Sequence, residues 1–245
     1  MKYLILGVIQ GLTEFIPVSS SGHLLIIQNL MHLNTDNLQL IVFSHLGTLL
    51  ALLFYFFKEI KELLKSKKLV SYILMVNLVT GLIAIIFKKY FENLFSSIKI
   101  LKFTFLINGI IILLSYFSKS NRKVDSLRLK GMFGLGVTQA LAIVPGISRS
   151  GITISYLLLN RLNKKEAFEF SFLAGLPAIL GAFILEAKFN SLNIIKLSHL
   201  FFCLLISFLT GLLALGILKR FIYKEKFYYF GYYCLLIGVL LFFIR

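Results

Sequence analysis

Six apolar runs, at roughly 38 to 57, 70 to 87, 103 to 118, 167 to 187, 198 to 218 and 227 to 244, set the terms on which this 245-residue chain can fold. A transmembrane helix needs about 20 mostly apolar residues, and each run reaches or approaches that length. Hydrophobic residues make up 58% of the sequence and charged residues 15%, too little polar surface for a water-soluble domain of this size. The expected fold class is an all-α polytopic membrane protein, a single membrane domain over 1-245. Two further apolar stretches, about 3 to 31 and 132 to 160, are interrupted by Pro17 and by Pro145-Gly146. The first is expected to belong to the mature protein, because it has Lys2 as its only basic residue and meets Gln10, Glu14 and Pro17 before any cleavage pattern.

The net charge of +16 would point to a nucleic-acid partner in a soluble chain, but its distribution argues against that class. Of 26 Lys and Arg residues, 17 fall in four short connections, at 58 to 68, 119 to 130, 161 to 165 and 219 to 226. These alternate with connections poorer in basic residues, the positive-inside pattern of a cytoplasmic face. The stretches 88 to 102 and 188 to 197 and both termini are then expected outside, with the lysines at 88, 89, 99 and 102 counting against it. Cys203 and Cys234 stand inside predicted spans without ligand spacing and read as packing residues.

Displaced by 129 residues, the sequence aligns Gly7-Val8-Ile9-Gln10 with Gly136-Val137-Thr138-Gln139, and Ser19-Ser20-Ser21-Gly22 with Ser148-Arg149-Ser150-Gly151. An offset of 127 matches Phe43-Ser44-His45-Leu46-Gly47 to Phe170-Ser171-Phe172-Leu173-Ala174. The chain thus reads as two related halves, about 1-118 and 131-245, joined by the basic connection 119-130. An odd number of whole spans separates the repeated elements, so the second copy enters the membrane from the opposite face and the repeat is inverted. Each interrupted element offers two helical stretches of about 10 residues, which reach only half of a ~30 Å hydrocarbon core. The expected architecture is six transmembrane helices plus two re-entrant helix-loop-helix elements that meet near the midplane, with two Pro-kinked full spans as the alternative.

The polar residues of these broken elements carry the chemistry. Gly7, Gln10, Gly11 and Glu14 follow helical spacing and form one small, polar stripe. A carboxylate at membrane depth costs about 3 kcal/mol or more, so Glu14 is expected to face a cavity or a partner; close helix packing by the small residues is the plainer reading of the stripe. Ser19-Ser20-Ser21-Gly22-His23 reads as a capped helix start, and a helix N-terminus suits phosphate. Ser20 and His23, spaced i, i+3, can place a base near a hydroxyl, although His23 can equally be a satisfied buried histidine. Arg149 is the only arginine inside a membrane-embedded run, flanked by Ser148 and Ser150. A guanidinium there stays charged, and its fork matches phosphate oxygens; Thr153 shares its face, and an internal pair with Glu14 is the alternative. No nucleotide-binding loop, zinc motif or calcium loop is present.

The segments Gln10-Gly11-Leu12-Thr13-Glu14-Phe15-Ile16-Pro17-Val18-Ser19-Ser20-Ser21-Gly22-His23 and Pro145-Gly146-Ile147-Ser148-Arg149-Ser150-Gly151 closely resemble the two signatures of the bacterial undecaprenyl-diphosphate phosphatase family, the bacitracin-resistance proteins. The resemblance covers essentially the whole chain. It implies removal of the terminal phosphate from undecaprenyl diphosphate, which recycles the lipid carrier of cell-wall synthesis and confers bacitracin resistance. It also implies a place in the bacterial cytoplasmic (inner) membrane, a site open to the outer face and a divalent cation, Mg2+ or Ca2+, as cofactor; it leaves a homodimer open. Carried over by position, Ser20 is the nucleophile, His23 its proton-transfer partner and Glu14 a base or metal ligand. Arg149, with Ser148 and Thr153, holds the diphosphate, and Gln10, Ser19, Ser21 and Ser150 complete the binding set. Gln10 stands where the family has Glu or Gln, which leaves one fewer carboxylate for a hard cation. A water nucleophile activated by Glu14 is the second route, and an inverted-repeat transporter or polyprenyl-phosphate flippase the second function.

Overall fold

The computed structural model describes residues 2–31, 38–95, 98–118, 121–188 and 196–243. Among them the chain is helical with no strand; Arg122 and Leu162 form an isolated bridge. The helices are α1 (Lys2–Phe15), α2 (Ser20–Leu30), α3 (Leu38–Tyr55), α4 (Phe57–Lys65), α5 (Lys67–Ile86), α6 (Lys88–Phe95), α7 (Leu101–Leu114), α8 (Leu129–Leu141), α9 (Arg149–Leu159), α10 (Lys164–Lys188), α11 (Leu197–Tyr223) and α12 (Tyr229–Leu240). Three stretches, Lys67–Ile86, Lys164–Ile184 and Leu197–Tyr223, are long and apolar enough to cross a membrane. A fourth arises if Gln39–Tyr55 and Phe57–Lys65, which meet at a 66° bend, count as one. Apolar helices of this length in one chain make a multi-pass membrane protein. The spans expected at 103 to 118 and 227 to 244 correspond to apolar helices below the 18 residues of a full span, Leu101–Phe117 and Tyr229–Leu240.

The two interrupted stretches are broken helices, α1 with α2 and α8 with α9. Pro17 lacks an N–H, and the chain passes through a positive φ of 69° at Ser19 and 90° at Gly146, so neither stretch can continue as one helix. Each first half-helix lies along a long neighbour. Along α1, Tyr3 stacks on His199 with ring centroids 4.5 Å apart, and a Cβ on Gly11 would meet the Ser207 carbonyl at 2.6 Å, so α1 runs parallel to α11. Along α8, Thr80 Oγ1 donates to the Gly136 carbonyl at 3.0 Å, while Tyr72 donates to the Leu127 carbonyl at 2.9 Å, so α8 runs parallel to α5. Glycine at 11 and 136 permits these approaches, because a Cβ on Gly136 would likewise meet the Val76 carbonyl at 2.8 Å.

The four basic connections gather at one end. Asn121 and Arg122 both donate backbone N–H groups to the Arg161 carbonyl, at 2.9 and 2.7 Å, Glu166 accepts from the Val124 N–H, and Lys164 pairs with Glu225. That lysine holds the exposed Glu225 carboxyl below the usual carboxylate range. Glu59 and Glu62 line a pocket there with Val124 and Glu166. Helix α8 starts at this basic end, whereas α1 starts beside His199, at the other end of α11. Of the connections expected outside, 189 to 195 fall beyond the described residues, as do 119 and 120 on the basic side. The core under the breaks is aromatic: Phe172 stacks on Phe56 at 5.6 Å and meets Phe15 edge-on at 5.7 Å, contacts worth about 0.5–1.5 kcal/mol each.

Candidate active site

A broken helix leaves backbone groups without partners at depth, and here each break satisfies the other. The Ser19 hydroxyl caps α2, accepting from the Gly22 N–H at 3.2 Å, and also accepts from the Gly146 N–H in the opposite break at 3.1 Å. Ser148 caps α9 in the same way, accepting from the Gly151 N–H at 3.1 Å. Ser150 donates to the Phe15 carbonyl at 2.9 Å. Asn108 of α7 bridges the pair: its amide donates to the Pro17 carbonyl at 3.3 Å, and its oxygen accepts from the Ser148 N–H at 3.0 Å. The starts of α2 and α9 are thereby fixed side by side.

Between them lies a cavity of about 280 Å3 with a polar pole formed by Glu14, Ser19, Ser20, Ser21, Ser148 and Arg149. Glu14 Oε2 accepts two hydrogen bonds, from the Ser20 hydroxyl at 2.7 Å and from the Gln10 amide at 2.9 Å. The guanidinium of Arg149 rests on the Phe172 ring, 5.3 Å from its centroid, and lies against Gly175, where any side chain would collide with it. Both of its terminal nitrogens are buried and have no hydrogen-bond partner among the described residues. The Arg149–Glu14 ion pair, the alternative at sequence level, is therefore not made. A permanent cation held at depth with unused donors is set to receive an anion.

The other candidate residues divide by what they touch. Ser19 and Ser148 are caps, and Ser21 sits 3.3 Å from Ser19 at the cavity wall. Gln10 lies behind Glu14, Ser150 ties the breaks together, and Thr153 bonds Ser171 at 2.6 Å and the Arg149 carbonyl at 2.7 Å; none of these three lines the cavity. His23 also stands outside it. The structure does not pair His23 with Ser20: Nδ1 lies 2.8 Å from the Ser19 carbonyl and so carries a proton, while Nε2 is hydrogen-bonded with the Tyr233 hydroxyl at 2.8 Å. The i, i+3 spacing put His23 on the α2 face toward Tyr233, whereas the partner of Ser20 comes from across the break.

Residues that the sequence did not mark as candidate site residues complete the surroundings. Asn108, Thr80, Gln139 and His45 are polar and lie in apolar helices, the signal that could have marked them. Thr80, Gln139 and His45 line the cavity. Phe172 under the guanidinium and Tyr233 on His23 carry no such signal, because aromatic residues are abundant throughout the chain. Among the described residues no group of three His, Cys, Asp or Glu side chains could hold a metal. Glu14 is the one carboxylate among the described residues of the cavity wall, with Gln10 behind it, so a divalent cation fits only when the bound phosphate supplies further ligands.

Residues 3–240 match the family model described as bacitracin resistance protein BacA. The chain is 39% identical over 252 residues to an undecaprenyl-diphosphatase of Thermosipho africanus, with 100% of both chains covered. It is 37% identical over 248 residues to one of Halothermothrix orenii, covering 98% of this chain and 96% of that relative. A relative of the same name from Carboxydothermus hydrogenoformans is 39% identical over 244 residues, with 96% and 94% covered. A match of this length, with the two breaks it brings together, makes the chain a member of the bacitracin resistance protein family.

Proposed function

We propose that this protein is an enzyme that hydrolyses undecaprenyl diphosphate to undecaprenyl phosphate and inorganic phosphate, with the bacitracin resistance its family name implies. The observation that carries this is the buried Arg149 fork, unpartnered, in one cavity with a serine already bonded to a carboxylate. In the proposed step the Arg149 fork and the N–H groups at the starts of α2 and α9 hold the terminal phosphoryl oxygens. Glu14 takes the Ser20 proton as Ser20 Oγ bonds to the terminal phosphorus, and the bridging P–O bond breaks to release undecaprenyl phosphate. Water then attacks the seryl phosphate, frees inorganic phosphate and lets the serine recover its proton. His23, held by Ser19 and Tyr233, serves to fix the α2 start. Glu14 would hold a divalent cation together with the diphosphate, and such an ion would offset charge developing on the leaving group.

Phosphate release from undecaprenyl diphosphate in detergent, measured with and without a chelator, tests both substrate and cation; no release sinks the assignment. Ser20→Ala separates the two routes. Loss by about two orders of magnitude or more supports the seryl intermediate, and a near-wild-type rate would favour direct attack by water.

The membrane arrangement proposed with this function is six spans and two re-entrant elements in inverted repeat, with the site open to the outer face of the cytoplasmic membrane. The parallel pairings of α1 with α11 and of α8 with α5 support it, because they interchange under the 129-residue offset with the corresponding long helices. The clustering of basic connections at the α8 end supports the orientation. From Gly175, against Arg149, the cavity wall continues to Ala178 and Ala182, away from the basic start of α10.

A further inference from the structure

Helix α10 changes character along its length. From Ala167 to Gly175 it is mostly buried, but Pro177 and Ala182 are exposed and Ala178, Ile179 and Phe183 half-buried. A Cβ on Gly181 would meet no atom within 4 Å, so this turn is uncovered by protein. Yet Ala178, Ile179, Ala182 and Phe183 are cavity wall, continuous with the polar pole and faced by Ile143 and Ile147 from the second break. None of these six side chains has a hydrogen-bonding group. The two alanines, four residues apart on one face, leave a trough that runs about 10 Å along the helix from Gly175 to Ala182.

Resting on the diphosphatase assignment above, we infer that this trough seats the first isoprene units of the lipid substrate and aligns the diphosphate with Arg149. Its chemistry excludes the headgroup, which needs hydrogen bonds, and its small residues leave room for a branched chain. Lipid tails are as apolar as the wall, so seating the chain gains no hydrophobic energy over leaving it in the bilayer. The trough therefore acts through shape: it fixes the direction in which the chain leaves the phosphoryl group, and filling it excludes chains in proportion to their reach.

The test compares KM for phosphate release from isopentenyl, geranyl, farnesyl and undecaprenyl diphosphates. In Ala182→Phe, KM is expected to rise about tenfold or more for the farnesyl and undecaprenyl substrates with isopentenyl diphosphate unaffected. In Ala178→Phe, nearer the guanidinium, the loss extends to geranyl diphosphate. Leu180→Phe, exposed and outside the wall, leaves all four unchanged. Equal KM changes at every chain length would overturn the trough. A wild-type protein that releases phosphate from none of the four would instead overturn the diphosphatase assignment. A benzophenone-bearing farnesyl diphosphate gives a readout free of both turnover and variant folding: crosslinks on 176 to 184 support the trough, and crosslinks confined to other helices refute it.

Discussion

The two broken helices share one capping arrangement and differ at the residues proposed to carry the chemistry. At the 129-residue offset Gln10 faces Gln139, Ser19 faces Ser148, Ser21 faces Ser150 and Gly22 faces Gly151. Ser19 and Ser148 cap their helices at 3.2 and 3.1 Å and lie 3.3 and 3.2 Å from Ser21 and Ser150. Among the positions that differ are Glu14 against Ile143, Ser20 against Arg149 and His23 against Ile152. The first carries a carboxylate and a hydroxyl, the second a guanidinium and apolar side chains. Because the breaks pack against each other, this difference sets a carboxylate-bonded hydroxyl and a buried guanidinium on one cavity, which two identical copies could not do.

The most severe way to break this division is to remove the clamp. Arg149→Ala is expected to lower phosphate release by about 10²–10³-fold or more, with normal amounts of protein in the membrane; unchanged turnover would remove Arg149 from the site. Arg149→Lys should recover only part, because an ammonium lacks the planar fork. Next, Glu14→Gln keeps the shape but not the base and should cost about 10²–10⁴-fold. Adding Ile143→Glu to that variant tests whether the halves are exchangeable: no rescue is expected, since the carboxylate would then stand on the side of Arg149 and away from Ser20. Rescue would show that the asymmetry is incidental. The smallest effects concern what the halves share. Ser19→Ala and Ser148→Ala should each lose about 1 kcal/mol of stability through the cap, measurable as thermal unfolding in detergent. Ser19→Ala should be the worse of the two, because it also strands the Gly146 N–H.

Much of this was legible in the sequence because the relevant signals are local. Interruptions by Pro17 and Pro145-Gly146, hydroxyls before helix starts and one arginine amid apolar residues are each visible within a dozen positions. The capping serines do what their spacing predicts. What was not legible depends on chain direction after a break. Ser20 finds Glu14 across the turn, where helical periodicity no longer applies, and His23 turns to Tyr233, 210 residues away. The stripe of α1 divides between packing and cavity: Gly7 and Gly11 face α11, while Glu14 lines the cavity with Gln10 behind it. The bend after Tyr55 and the short α12 also lie beyond reach of hydropathy, which registers apolar length and not where a helix turns or stops.

The hydroxyl of Ser19 is bonded to both halves, through Gly22 on its own side and Gly146 on the other. A displacement of either half-helix is therefore felt by its counterpart through a single oxygen atom. Ser20 and Arg149, each next to its own capping serine, share that constraint, so under the proposed reaction hydroxyl and guanidinium keep their spacing as one lipid replaces another.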